Sequence, residues 1–107
     1  MAKIKWTDEA ILEFKMYVKN ARSEFGVSTS RRWLTERKSI EWRLERYPTS
    51  YPPESLLLGR STIYRQCHLM NRRFKFVYYY DEVEDVVHIV DIWDTLMNPK
   101  SLIQRIK

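Results

Sequence analysis

At Pro48 the hydrophobic period of the chain changes, and that change decides its class of fold. Before it, apolar residues recur at helical spacing: Ala10, Phe14, Tyr17 and Ala21, widened by Ile11, Val18 and Phe25, and then Trp33, Ile40, Leu44 and Tyr47. After the Pro-rich stretch they alternate with polar residues, which predicts strands near 62–69, 73–80 and 86–93. Two helical stripes followed by three alternating runs give an α+β fold, with a helical hairpin packed on a small antiparallel sheet.

The punctuation between these runs is consistent with that layout. Lys3-Ile4-Lys5-Trp6 alternates and predicts a short first strand, after which Thr7 caps a helix with Asp8 and Glu9 at the positive end of its dipole. Gly26 ends this helix, Ser28, Thr29 and Ser30 offer caps for the next, and Pro48 stops the second. So few residues separate the helices that they should form an antiparallel hairpin. Pro48, Pro52, Pro53 and Gly59 mark an irregular loop of the length usually kept for a function. Met70-Asn71-Arg72 and residues 81–85 supply the turns of an antiparallel meander.

In the middle strand Phe74, Phe76, Tyr78 and Tyr80 share the face expected to pack on the hairpin, and Arg73, Lys75, Val77 and Tyr79 share the other. Val86, Val87, Ile89, Val90 and Ile92 are apolar on both faces, as in a central or heavily covered strand. Asn98 and Pro99 open a terminal helix in which Leu102, Ile103 and Ile106 return to the sheet. The expected order is β-α-α-β-β-β-α in one domain, residues 1–107.

A formal net charge of +5 and a pI near 9.4 suggest an anionic partner, either nucleic acid or an acidic protein segment. Arg65, Arg72, Arg73 and Lys75 precede an acidic block of Asp81, Glu82, Glu84, Asp85, Asp91 and Asp94. Cys67 is the only cysteine, which excludes an internal disulfide and favours a reducing compartment. With no apolar run of membrane-spanning length and no signal-peptide core, the chain is expected to be cytoplasmic and complete.

Residues 72–79, RRFKFVYY, partly match an RNA-reading strand, but Arg73 and Lys75 occupy the two positions that the signature keeps small. Two consecutive helices do not fit the RNA-recognition order either, so the aromatic run is read as sheet core. Metal-free RNA cleavage needs a base, an acid and fixed positive charge beside the phosphorane. Arg65 and Lys75 are the candidate catalytic pair, expected within reach of each other across a tight turn, with Arg73 adding charge. His68 and His88 are read as partly buried strand histidines, and Cys67 as a buried small hydrophobe. Neither metal-ligand spacing nor a Gly-rich phosphate loop nor a nucleophile motif is present, so no metal or cofactor is expected.

Trp6 running into TDEA, a helical hairpin, a Pro-rich loop and then IYRQCHLMNRRFKFVYYYDEVEDVVHIVDIWDTLMNP together resemble the RelE/ParE family of type II toxin–antitoxin toxins. The most specific parts are Tyr64-Arg65, Tyr78-Tyr79-Tyr80 and Asp91-Ile92-Trp93-Asp94-Thr95 followed by Asn98-Pro99. The resemblance implies a toxin restrained by a cognate antitoxin whose extended C-terminal segment wraps over it. Two target classes stay open, because RelE-like members cut mRNA on the ribosome and ParE-like members poison DNA gyrase.

RelE-like nucleases carry a basic residue on the strand matching Arg73–Tyr80, for which Lys75 is the counterpart. They also carry an arginine in the stretch matching Asp94-Thr95-Leu96-Met97, where this chain has no basic residue. No aromatic residue follows Trp93, and Arg105 and Lys107 remain as charge only. These departures favour the ParE-like branch or a weakened toxin, with mRNA cleavage and a non-toxic nucleic-acid-binding domain as the alternatives. The expected target-binding residues are Arg60, Arg65, Arg72, Arg73 and Lys75, and the expected partner contacts are Trp33 and Trp42.

Overall fold

The computed structural model describes residues 1–106, so Lys107 lies outside the described residues. The elements are β1 (Lys3–Trp6), α1 (Asp8–Phe25), α2 (Val27–Arg46), a short 3-10 turn (Ser55–Leu57), β2 (Tyr64–Leu69), β3 (Phe74–Asp81), β4 (Val86–Asp94) and α3 (Pro99–Arg105). The four strands form one sheet in the order β1-β4-β3-β2. β2, β3 and β4 make the expected antiparallel meander, but β1 joins β4 in parallel, so the sheet is mixed rather than antiparallel. The chain leaves β1 through the hairpin, enters the sheet at β2 on the far edge and returns through β3 to β4, the long connection that a parallel pairing needs.

Thr7 accepts a hydrogen bond from the Ala10 amide at 3.2 Å and starts α1, and Asn98 likewise accepts from Lys100 at 3.0 Å to start α3. The hairpin joint is tighter than expected. Gly26 alone, at φ +99°, both ends α1 and begins α2, which leaves Ser28, Thr29 and Ser30 inside the helix rather than capping it. Instead, the Ser30 hydroxyl donates to the Val27 carbonyl at 2.7 Å.

The hairpin packs on one sheet face through an aromatic cluster. Trp6 lies edge-on to Phe76 at 5.2 Å, Trp33 stacks on Tyr17 at 5.7 Å, and Phe74 leans on both Tyr17 and Trp33 at 4.7 Å. Three residues assigned to apolar stripes are in fact exposed: Phe25, Tyr47 and Ile103. Each lies at or beyond an element end or on the solvent side of the short α3, where no neighbouring element covers it.

The opposite sheet face carries a second small core of Leu57, Val77, Trp93, Leu102 and Ile106, closed by the 3-10 turn and α3. A register shift joins the two cores. Val77 pairs with Asp91 and Tyr78 with Ile89, so Val90 is an extra residue in β4. Ile89 and Ile92 therefore both face the hairpin, while Val90 packs in the second core. That is why β4 is apolar on both faces, and it is central as expected.

The Pro-rich loop covers the outer edge of β2. The Glu54 amide donates to the Tyr64 carbonyl at 2.7 Å and the Gln66 amide to the Pro52 carbonyl at 3.1 Å. An edge that invites pairing is thereby blunted, and Glu54 is brought against the meander.

Candidate functional site

Cross-strand register decides which meander side chains can meet. Arg65 pairs with Tyr78, on the hairpin face, whereas Lys75 pairs with His68, on the opposite face. Arg65 and Lys75 are therefore separated by the sheet, which overturns the expectation that they act together. Arg65 instead donates to the Tyr51 carbonyl at 2.8 Å and is half-buried.

Lys75 has a partner that was not anticipated. Its Nζ lies 2.5 Å from Glu54 Oε2, with side-chain exposures of 11% and 1%. Glu54 Oε1 also accepts the Leu56 amide at 3.1 Å, whereas the buried Oε2 has the Lys75 ammonium as its ionic partner and no hydrogen bond. His68 stands across from Lys75, and its pKa is lowered by burial and by the Arg72 and Lys75 charges, against a smaller opposing pull from Glu54. A neutral imidazole, an ammonium and a carboxylate thus share one spot on the sheet face away from the hairpin. Such a group can exchange protons, but its positive charge is already balanced by Glu54.

The remaining basic residues are dispersed. Arg60 donates to the Ile106 carbonyl and, at 2.8 Å, to the Ile103 carbonyl, tying down the end of α3. Arg73 makes a two-pronged pair with Asp94 at 3.0 and 3.2 Å. Arg72 is exposed and forms no ion pair among the described residues. It ends a run of three left-handed residues, Met70, Asn71 and Arg72 at φ 54°, 57° and 66°, which side chains adopt at a cost of roughly 1–2 kcal/mol each. The turn is held from α2, since the Met70 amide donates to Glu36 and Arg32 donates to Asn71, both at 2.8 Å.

The two tryptophans expected to meet a partner separate cleanly. Trp33 is 2% exposed and belongs to the aromatic core, so it is not a surface contact in this fold. Trp42 is 55% exposed on the outer side of α2, with the Arg46 guanidinium 4.1 Å above its ring.

Beside the second core lies a carboxyl pair that sequence reasoning missed. Arg105 of α3 binds both Glu13 of α1 and Asp91 of β4, the latter at 2.5 Å. Burial first, then the Glu13 carboxyl, pushes the Asp91 pKa up to about 8. Because the folded-state value lies above the unfolded one, folding takes up a proton here. The associated stability is full below the ordinary carboxyl range and is lost as pH rises toward 8. Thermal unfolding across this range should therefore show a fall in Tm with rising pH that Asp91→Asn flattens. A parallel fall in both proteins would remove Asp91 as its source.

Glu54 and Asp91 carried different signals. An acid inside the apolar run VVHIVDIW called for a buried partner, but Glu13 and Arg105 are distant in sequence and only the fold reveals them. Glu54 sits in a Pro-rich loop whose direction no periodicity indicates. Cys67 is buried as expected, and its thiol is pushed up to about 12 by that burial. Among the described residues no group of three or more His, Cys, Asp or Glu side chains is arranged to hold a metal ion, and no helix is long and apolar enough to cross a membrane.

The sequence matches no family model and no curated protein. Solved structures do match. A chain from the chromosomal ParDE TA system of P. aeruginosa superposes with a TM-score of 0.68 at 15% identity, covering 88% of this chain and 96% of that one. A metal-bound toxin from Helicobacter pylori gives 0.61 at 21% identity over 88% and 94%. The isolated E. coli RelE toxin gives 0.59 at 14% identity over the whole of both chains. The chain therefore has a RelE/ParE-like toxin fold.

Proposed function

We propose that this chain is the toxin of a bacterial type II toxin–antitoxin pair, restrained by a cognate antitoxin in the cytoplasm, and that it acts as a ParE-like inhibitor of DNA gyrase. The observation that carries the choice of branch is the neutralisation of its positive charge. A pentavalent phosphate needs free cations converging on one point. Lys75 is buried against Glu54, Arg65 lies on the other sheet face, Arg60 holds α3, and Arg73 is paired with Asp94. The stretch Asp94-Thr95-Leu96-Met97 adds no base. Arg72, at the tip of the strained turn, remains for the target.

A second reading, ribosome-dependent mRNA cleavage, draws support from the Glu54–His68–Lys75 cluster, which has the ingredients of acid–base chemistry without a metal. Controlled induction in a bacterial host tests the toxin reading common to both. Growth should arrest, and co-expression of a small neighbouring reading frame with an amphipathic tail should restore it. Unimpeded growth at confirmed expression would remove the toxin reading and leave a binding domain.

A further inference from the structure

A cavity of about 510 Å³ opens where the hairpin joint meets the turn between β2 and β3, and neither the fold nor the proposed activity uses it. Helical spacing places two of its walls: Tyr17, Asn20 and Glu24 share one strip of α1, and Thr29 and Arg32 share one of α2. Tyr17 and Phe74 form an apolar floor, backed by Trp33 stacked on Tyr17, and Phe25 stands at the mouth, 70% exposed. The far wall is Met70 and Asn71 of the left-handed turn, which α2 holds in place through Glu36 and Arg32. Strain maintained by such external bonds is a feature of functional sites.

Charge around the mouth is present in both signs and cancels, with Arg32, Arg72 and Arg73 against Glu24, Glu36 and Asp94. Arg32 donates through Nε and Nη2 to Glu36 and Asn71, and Arg73 through the same atoms to Asp94. The Nη1 group of each is thereby held in place with no acceptor of its own among the described residues. Glu24 is exposed and makes no ion pair among the described residues.

We infer that this cavity binds a small zwitterion, an α-amino acid with an aromatic or large aliphatic side chain. The carboxylate of the ligand accepts from the two arginine Nη1 groups, its ammonium meets Glu24, and its side chain covers Tyr17, Phe74 and Phe25. A phosphate or nucleotide would set its charge against Glu24 and Asp94, and a simple amine would set its charge against the arginines. The volume lies within the range of roughly 300–1,000 Å³ usual for small-molecule sites. The inference does not rest on the toxin reading, because binding is measured on the pure chain without any growth phenotype.

The probe is L-phenylalanine, titrated calorimetrically into the full chain beside phenylpropionate, phenethylamine, glycine and AMP. Phenylalanine should bind, and each of the others, lacking one charge, the ring or the zwitterion, should bind about tenfold or more weakly. Glu24→Gln, on an exposed turn, should leave the melting temperature unchanged, weaken phenylalanine about tenfold and leave phenylpropionate as it was. Arg32→Gln should weaken phenylalanine and phenylpropionate together. Because Arg32 also holds the turn, Glu24→Gln decides the matter if Arg32→Gln lowers the melting temperature. Failure of phenylalanine to bind at millimolar concentration, or full affinity for it in Glu24→Gln, would overturn the inference. So would phenylpropionate or AMP binding as tightly as phenylalanine, which marks a plain anion site, or phenethylamine doing so, which marks a cation site.

Discussion

Lys75→Ala should destabilise the protein by about 3–5 kcal/mol, because it leaves Glu54 charged, buried and unpaired. Glu54 is 1% exposed at its side chain and Lys75 11%, so little water can take over the lost partner. A domain of this size has only about 5–15 kcal/mol of stability, and the variant should unfold at much lower urea. The informative partner is the double replacement Glu54→Gln with Lys75→Met, which removes both charges and keeps the volume. It should recover most of the loss, since the attraction of a buried pair is largely offset by desolvation. Urea melts of the three proteins decide this, and a single variant as stable as wild type would mean that the pair is solvated and available for chemistry.

Trp33→Ala should cost a comparable amount, about 3–5 kcal/mol, by opening a cavity where Phe14, Tyr17 and Phe74 converge on the indole. Trp42→Ala should change stability by no more than about 0.5 kcal/mol, because its ring contacts mainly Arg46 at the surface. Urea or thermal melts of the two variants compare a core tryptophan with a surface one on the same helix. Loss of stability in the second would place Trp42 in the core and remove it from any docking surface.

The contrast between these tryptophans illustrates what could be read from the chain. Period and punctuation located the elements well: Thr7, Gly26, Pro48 and Asn98 lie at element boundaries, and the two faces of β3 divide as alternation requires. Strand register could not be read, because it depends on the number of residues in each turn and on a bulge that no local signal marks. That omission paired Arg65 with Lys75, which the sheet separates. The parallel placement of β1 was equally hidden, since four alternating residues fit either direction. Long-range ion pairs such as Lys75 with Glu54, or Arg105 with Glu13 and Asp91, join elements whose proximity arises only on folding.

The central claim is a toxin that arrests growth without cutting RNA. Its most direct test is to map mRNA 5′ ends while following DNA-damage signalling during induced arrest, with the Glu54→Gln, Lys75→Met double variant as the control that preserves the fold. Intact messages accompanied by damage signalling, in wild type and double variant alike, are the expected result. New ribosome-dependent message ends that vanish in the double variant would contradict it, and would make the Glu54–His68–Lys75 cluster a nuclease centre.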